Sequence, residues 1–311
     1  MEKLLLIDGN AIVHRAYHAL PPLHSHKGKP TNAVYGFFAM VLKVINDLKP
    51  TYIVVCFDRE APTFRKQMYV GYQAQRPKME DELSSQFVLI HDILLQSKFK
   101  IFEVDGFEAD DLIGTISNQA KEEVIILSGD RDLLQLVNGH VRMIAPITGV
   151  TKMILFDKAA VVEKYGLQPE QIPDYKALVG DASDNYPGVM GIGPKTASDL
   201  ISRFQNLENL YNNLGEIAPK VSEKLATDAE QAALAKKLAT IDVNSPIKYK
   251  NTECKAADIN EKGILENFKM LKFNSLIQRF NLEKADEITE IKEEFKPSVL
   301  KKKEENQLEL L

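Results

Sequence analysis

The 311-residue sequence contains only two cysteines, Cys56 and Cys254, and they lie far apart in the chain. So few cysteines argue against a disulfide scaffold and favour a reduced, cytoplasmic setting. Long apolar runs are absent as well: the first, residues 4–7, is too short for a signal peptide. No later run approaches the roughly 18 apolar residues of a membrane span, so we expect no membrane segment.

The sequence also lacks an overall positive charge. Its net charge is −5, which argues mildly against nucleic-acid binding. The distribution of charge is more informative, because residues 59–78 carry five cations and one acid, whereas acids elsewhere recur at the ends of apolar runs. With 44% hydrophobic and 27% charged residues, the composition is that of an ordinary globular protein of one large domain or two coupled ones.

Short apolar runs alternate with helical patterns in the first half of the chain. Four runs predict strands, at residues 3–7, 52–57, 124–127 and 141–144. Three stretches with apolar residues at i, i+3 and i+4 predict helices, at residues 33–47, 81–96 and 109–121. This alternation predicts an α/β fold with a mainly parallel central sheet flanked by helices.

After about residue 151 the strand signals thin out and short helical patterns follow one another. They lie at residues 158–165, 173–179, 196–204, 228–238, 261–268 and 274–280. We therefore predict an α/β core at residues 1–172, a helical region at 173–285 and a charge-rich, disordered tail at 286–311.

Acidic residues follow the apolar runs or open a predicted helix. They are Asp8, Asp58, Glu108, Asp110, Asp111, Asp130 and Asp132, with a further pair at Asp181 and Asp184. Since the carboxyl ends of parallel strands line one edge of a sheet, the acids at the strand ends should converge on one point.

So many carboxylates, if about 4–6 Å apart, cannot all ionise without compensation. Hard divalent cations with oxygen ligands remove that difficulty, and Mg²⁺ or Mn²⁺ is the natural choice. For any single one of these acids the alternative is a helix cap, and the acids at 108–111 could simply favour the positive end of a helix dipole. The whole set predicts a metal site.

Six sequence blocks, in order, resemble the 5′-nuclease domain of bacterial DNA polymerase I and the wider flap endonuclease family. They lie at residues 6–22, 57–58, 72–77, 106–114, 128–135 and 180–197. The resemblance covers roughly residues 3 to 282 and implies a PIN-like nuclease fold. It implies a monomeric 5′-3′ exonuclease or flap endonuclease that acts on DNA 5′ ends, flaps or nicks in replication and repair.

The resemblance also implies a two-metal active site for phosphodiester hydrolysis by a metal-activated water. All nine acids would bind the Mg²⁺ or Mn²⁺ ions directly or through water. Catalytic roles would fall to Arg15, Tyr72, Gln73 and Arg76.

Residues 188–197 form a glycine-rich turn that opens a helix. Glycines let the backbone approach a phosphate closely, and a helix N-terminus presents N–H donors to it. Pro194 separates Gly193 from Lys195, so the turn is not a Walker A loop. It resembles the helix–hairpin–helix with which the family grips duplex backbone, often around a K⁺ ion, here at residues 186–204. The expected DNA contacts are Gly188, Gly191, Gly193, Lys195 and Thr196, and the alternative is a plain connector between helices.

The basic segment resembles the family's arch over the active site, at residues 59–80. Phe64, Tyr69 and Tyr72 could stack on unpaired bases while Arg65 meets a phosphate. The alternative is that these aromatic side chains pack into the core.

Two further residues, Arg15 and Tyr17, follow Asp8 closely and could face the same crevice. We expect both to contact DNA, Arg15 through a phosphate; the alternative for Arg15 is a surface ion pair. The chain departs from the family at Gln73, where a lysine is usual, and a neutral amide supplies no cation. Either Arg76 and Arg15 compensate, or the enzyme is slow.

Two other interpretations remain open. An RNA-cutting enzyme of PIN type is disfavoured by the arch and the glycine-rich turn, and a non-catalytic DNA binder, suggested by Gln73, is disfavoured by the complete set of acids. The segment from Gln307 to Leu311 resembles the peptide by which bacterial repair proteins dock on the sliding clamp. Its alternative is an unstructured end.

Overall fold

The computed structural model describes residues 2–25 and 28–282. The predicted tail and the clamp-like segment from Gln307 to Leu311 lie outside the described residues. In the described part of the chain, none of the helices has both the length and the apolar character needed to cross a membrane.

A six-stranded sheet forms the centre of the fold. Its strands are β1 Lys3–Asp8, β2 Tyr52–Cys56, β3 Lys100–Phe102, β4 Glu123–Leu127, β5 Val141–Thr148 and β6 Lys152–Phe156. Across the sheet they run in the order β3-β2-β1-β4-β5-β6, and every neighbouring pair is parallel except β5 and β6. The predicted mainly parallel sheet is confirmed. The short β3 and the antiparallel edge strand β6 were not predicted.

The register of the central strands sets the position of the acids. Asp8 lies opposite Cys56 of β2, and Ile7 lies opposite Leu127 of β4. The three strands therefore end at the same level, and the acids that follow them share one edge of the sheet, as expected.

Helices cover both faces of this sheet. They are α1 Gly9–Ala19, α2 Asn32–Leu48, α3 Phe64–Met68, α4 Asp81–Gln96, α5 Ala109–Gln119 and α6 Lys158–Tyr165. Alternate residues of β1 enter two different apolar clusters: Leu5 and Ile7 face α1, α2 and α4, whereas Leu4 and Leu6 face α5. A strand buried on both faces explains why the run is continuously apolar.

The second half of the described chain is helical, as predicted. It contains α7 Ile172–Val179, α8 Pro194–Phe204, α9 Leu207–Asn212, α10 Pro219–Thr227, α11 Ala229–Ala239, α12 Glu261–Leu271 and α13 Asn274–Leu282, with a two-stranded ribbon of β7 Gly180–Asp181 and β8 Tyr186–Pro187. Leu178, Ile201 and Leu225 belong to a separate apolar cluster within α7–α11. Helix α12 packs instead against the core, where the Phe268 ring lies 5.3 Å from that of Phe38. The domain limits stay a prediction.

Candidate active site

Asp8 ends the central strand and is almost completely buried. Its Oδ2 accepts a hydrogen bond from the Ser128 hydroxyl at 2.6 Å, and its Oδ1 accepts one from the Ala11 N–H at 2.9 Å. The carboxylate therefore caps α1 and faces the sheet edge at once. Burial, with smaller contributions from the neighbouring charges of Asp58 and Asp130, raises the pKa of Asp8 to about 7. Ser128 begins the block at residues 128–135 that resembles the family, but it was not predicted as a site residue.

The start of α5 brings more acids to this edge. Asp58 accepts the Ala109 N–H at 2.7 Å, so the loop after β2 is attached to the first turn of α5. Burial raises the pKa of Asp110 well above its ordinary value, and the charges of Asp130 and Asp8 add to the effect. Acids from three separate segments thus crowd together, as the sequence predicts for these positions.

A second group of acids comes from the segment after β4 and from the β7–β8 turn. Carboxylate oxygens of Asp132, Asp181 and Asp184 all lie within 4.8 Å of one another. Asp181 lies at the end of β7, and its Oδ1 accepts the N–H groups of Ser183 at 2.7 Å and of Asp184 at 3.2 Å. This four-residue turn between β7 and β8 fixes the pair of acids relative to each other.

Lys176 of α7 contacts two of these three acids. Its ammonium group bonds both Asp132 and Asp181, and the lysine side chain is only 16% exposed. Although burial opposes it, the Lys176 ammonium lowers the pKa of Asp181. Burial, with the charge of Asp130, raises the pKa of Asp132 to about 7 in spite of the lysine.

Sequence reasoning missed Lys176. The available signal was the presence of one lysine, five residues before Asp181, in a helix that leads directly into an acidic turn. A lysine at that position brings a positive charge to converging acids, which otherwise disfavour one another's ionisation.

Glu108 connects the two groups of acids through the arch. Its carboxylate lies 3.1 Å from the Tyr72 hydroxyl and 3.4 Å from the Gln73 amide nitrogen. The same two side chains lie 3.2 Å from the carboxylate of Asp184. Burial raises the pKa of Glu108 to about 7, although the guanidinium of Arg65 opposes this shift.

Two of the predicted site residues pair with each other inside the protein. Asp111 is fully buried and forms a two-bonded ion pair with Arg65, at 2.8 Å for each bond. Asp111 also accepts the N–H groups of Glu108 and Asp242. Its oxygens bond to the protein, so direct contact with an ion is disfavoured, and its metal role stays a prediction. Arg65 is 3% exposed, which favours an internal ion pair, and its phosphate contact stays a prediction.

Two aromatic residues of the arch pack against other aromatic rings. Tyr72 is buried and stacks on Tyr186, with ring centroids 6.5 Å apart. Phe64 is half-buried and packs on Phe107, with ring centroids 6.0 Å apart. These contacts favour the core alternative, and stacking of the two rings on DNA bases stays a prediction. The Arg76 side chain is 51% exposed and lies 2.6 Å from Asp184, and its catalytic role stays a prediction.

Arg15 and Tyr17 lie on α1. The Arg15 guanidinium donates to the Ile147 carbonyl oxygen at 2.7 Å, and its Nε is buried without a hydrogen-bond partner. The Tyr17 hydroxyl donates to Glu80 at 2.6 Å, at the start of α4. Their DNA contacts stay predictions.

In the glycine-rich turn, some residues are needed for the packing of the hairpin and others have open space around them. At Gly188 an added Cβ would lie 2.3 Å from the Leu178 carbonyl oxygen, so packing requires a glycine here, and its DNA contact stays a prediction. Gly191 has a left-handed φ of 76°, and its carbonyl oxygen accepts a bond from Lys224 at 3.0 Å. Gly193 precedes α8 with open space around it, and Lys195 in the first turn is exposed.

The arrangement can hold hard cations and an anionic backbone on one surface. Buried carboxylate oxygens converge at the sheet edge, while the first turn of α8 is not capped by a side chain. Unsatisfied N–H groups at a helix N-terminus bind phosphate, and crowded carboxylates bind divalent ions.

Comparison with known proteins places the chain in a family. Residues 3–166 match the family described as 5′-3′ exonuclease, N-terminal resolvase-like domain, and residues 167–262 match that described as 5′-3′ exonuclease, C-terminal SAM fold. The 5′-3′ exonuclease of Aquifex aeolicus is 37% identical, over 89% of this chain and 95% of its own length.

Longer relatives and solved structures agree with this. DNA polymerase I of Caldicellulosiruptor bescii is 41% identical over 90% of this chain, which spans 34% of the length of that protein. T5 5′-exonuclease with bound zinc has the same fold, with a TM-score of 0.65 and 21% identity, over 92% of this chain and all of that one. The catalytic core of Rad2 in complex with DNA gives a TM-score of 0.57 and 15% identity, over 90% of this chain and 92% of that one.

Proposed function

This chain belongs to the 5′-3′ exonuclease family, and from that premise we propose that it hydrolyses DNA phosphodiester bonds at 5′ ends, flaps or nicks with bound divalent metal ions. The observation that carries the proposal is the convergence of acids from β1, the start of α5, the loop after β4 and the β7–β8 turn. Crowded carboxylates disfavour one another's ionisation, and bound divalent cations offset that cost.

The ions proposed for this site are Mg²⁺ or Mn²⁺, two or more, because every candidate ligand is a carboxylate oxygen. The residues proposed to hold them are Asp8, Asp58, Glu108, Asp110, Asp130, Asp132, Asp181 and Asp184. Lys176 supports the fit, since a cationic group already lies between Asp132 and Asp181. When bound, such ions supply positive charge at the scissile phosphate and lower the pKa of water.

The chain's own residues would orient the substrate. Arg76 is half exposed and pairs with Asp184, and its guanidinium is proposed to leave that acid and contact the scissile phosphate. Gln73 offers a hydrogen-bond donor beside it. Arg15 is proposed to hold a neighbouring phosphate.

The duplex is proposed to lie on the hairpin at residues 188–193 and the first turn of α8. Lys195 and Thr196 would contact its backbone without reading sequence. A K⁺ ion at this hairpin is a further part of the proposal, and duplex affinity measured in K⁺ and in Na⁺ tests it. A duplex affinity less than about two-fold higher in K⁺ than in Na⁺ would contradict a K⁺ ion at the hairpin.

A single experiment separates this function from its rivals. A DNA flap and the RNA flap of the same sequence are incubated with the protein in Mg²⁺ and then in a chelator. Cleavage of the DNA flap in Mg²⁺ only, with binding retained in chelator, is the expected result. Preferred cutting of RNA would indicate an RNase of PIN type, and binding without cutting would indicate a structural DNA-binding protein.

Docking on the sliding clamp through the segment from Gln307 to Leu311 is proposed from sequence alone. A glutamine amide and spaced leucines fit a preformed groove. A peptide of residues 304–311 should bind the clamp with micromolar affinity, about −8 kcal/mol. Calorimetry without saturation at millimolar clamp would contradict it.

A further inference from the structure

Arg65 is the most completely bonded charged side chain of the arch. It lies on α3, is 3% exposed, and its guanidinium lies 4.6 Å from the centre of the Phe64 ring. A guanidinium has five N–H donors in a fixed planar arrangement. A buried arginine with this geometry joins whatever segments supply its acceptors.

Two segments of the chain supply the acceptors for Arg65. Nη1 donates to Glu108 at 2.9 Å and to Asp111 at 2.8 Å, and Nη2 donates to Asp111 at 2.8 Å. The remaining bonds reach main-chain carbonyl oxygens at the end of α11: Nε to Leu238 at 2.9 Å and Nη2 to Thr240 at 3.0 Å. All five donors are therefore used, and none is left for a phosphate.

Helix α11 is itself attached to the helical region that is proposed to bind duplex. Lys236 forms an ion pair with Asp174 of α7 at 2.6 Å, and Gln231 donates to the Pro187 carbonyl oxygen at 2.8 Å. Asp228, just before α11, accepts the N–H of Met190 in the hairpin at 2.7 Å. These bonds connect the hairpin to α11, and the end of α11 in turn bonds Arg65.

We propose that Arg65 is a positioning residue that couples duplex binding on the helical region to the placement of Glu108 in the metal centre. Its side chain bonds Glu108 at one end and the carbonyls of α11 at the other, across the base of the arch. If duplex binding changes the affinity of the metal centre, metal binding changes the affinity for duplex by the same factor. This inference rests on the proposed function, because it assumes that the protein binds both ions and duplex.

The test uses Arg65→Lys in the full chain. A lysine keeps the positive charge beside Glu108 and Asp111 but has three donors on one atom, so it cannot also hold two carbonyls of α11. Arg142→Lys is the matched control, since Arg142 pairs with Glu123 on the sheet, away from both sites. Mn²⁺ affinity is measured by calorimetry with and without a duplex whose two ends are closed by hairpin loops, so that no 5′ end brings a phosphate into the metal centre.

The expected results separate coupling from simple structural damage. In the wild type and in Arg142→Lys the duplex should tighten Mn²⁺ binding by at least about 5-fold, the lower end of typical allosteric coupling. In Arg65→Lys the factor should fall below about two-fold, while the Mn²⁺ affinity of the DNA-free protein and the duplex affinity in chelator stay within about two-fold of wild type.

Other outcomes would overturn the inference. Unchanged coupling in Arg65→Lys, or equal effects in Arg65→Lys and Arg142→Lys, would give Arg65 no coupling role. Wild-type protein that binds both ligands without coupling would overturn it as well, whereas failure to bind either ligand would contradict the proposed function instead. If Arg65→Lys does not fold, Asp111→Asn loosens the same guanidinium and should also lower the coupling factor; retained coupling there would contradict the inference.

Discussion

Gln73 and Asp184 are joined by two hydrogen bonds. The main-chain N–H of Gln73 donates to the Asp184 carbonyl oxygen at 2.8 Å, and its side-chain amide donates to the Asp184 carboxylate at 3.2 Å. The left-handed φ of 53° at Gln73 is the conformation in which both groups reach this one residue. Position 73 therefore acts directly on an acid of the proposed metal centre.

Substitution Gln73→Lys should accelerate cleavage. A lysine at this position adds a positive charge beside the scissile phosphate, and we expect the single-turnover rate on a saturating flap to rise by about 10-fold or more. Gln67→Lys adds the same charge on an exposed part of α3 and should leave the rate unchanged. If Gln73→Lys cleaves no faster than wild type, compensation by Arg76 or Arg15 is the better account.

The affinity for metal should depend on pH. The carboxyl groups of Asp8, Glu108 and Asp132 have pKa values of about 7, raised chiefly by burial. A divalent ion must displace their protons, so Mn²⁺ affinity should increase by about 10-fold or more from pH 6 to pH 8. Calorimetric titration at the two pH values measures this, and equal affinities would contradict it.

The same shifts predict the pH dependence of stability without metal. Unfolded carboxyl groups release their protons near pH 4, whereas these three keep theirs until about pH 7. Between these values the folded state binds more protons than the unfolded state, so their contribution to the free energy of unfolding falls as pH rises. Denaturant unfolding in chelator should show the decrease, and added Mn²⁺ should reverse it above pH 7.

Removing the Lys176 ammonium should increase dependence on divalent ions. In Lys176→Met, Asp132 and Asp181 face each other without their present cation, so the metal-free protein should melt at a lower temperature. Mn²⁺ should bind about 10-fold more tightly, about 1.4 kcal/mol, because no ammonium competes for the acids. Lys158→Met, in a largely exposed ion pair with Glu170, is the control and should change neither quantity. Unchanged Mn²⁺ affinity in Lys176→Met would refute the competition.

Lys195 should contribute to duplex binding through charge alone. Its loss in Lys195→Met should weaken binding to all sequences alike and lower the slope of log K against log salt by about 1. Lys262→Met removes an exposed lysine of α12, far in sequence from the hairpin, and should leave the slope as it is. A base-dependent loss of affinity would show that the turn reads sequence.

Sequence patterns predicted those strands and helices whose pattern is complete within a few consecutive residues. The buried strand β4 was predicted to within one residue and α4 without error, because continuous burial or a 3.6-residue period appears in a few consecutive residues. Helix α1 was missed, since the Gly9–Asn10 pair after a strand is typical of a turn. The three-residue β3 is too short to produce a pattern of its own.

The acids of the candidate site could be predicted from the sequence, but the residues that bond to them could not. Asp8 and Asp130 follow apolar runs, so their convergence follows from parallel strands. The partners of Arg65 are 43 and 46 residues away in Glu108 and Asp111, and its carbonyl acceptors lie still farther along the chain. Such distant contacts leave no periodic or local signal, and a buried ion pair and a DNA contact use the same residue types.

Single-turnover cleavage of a 5′ DNA flap by Asp132→Ala tests the metal-centre proposal most directly. Asp132 lies among the acids that contact Lys176, and its loss removes a proposed ligand without altering the hairpin. With Mg²⁺, the rate should fall by at least about 100-fold relative to wild type, while flap affinity in chelator stays the same. Asp92→Ala, at an exposed acid of α4, should cleave at the wild-type rate. Near-normal turnover by Asp132→Ala would contradict the assignment of these acids to metal-dependent hydrolysis.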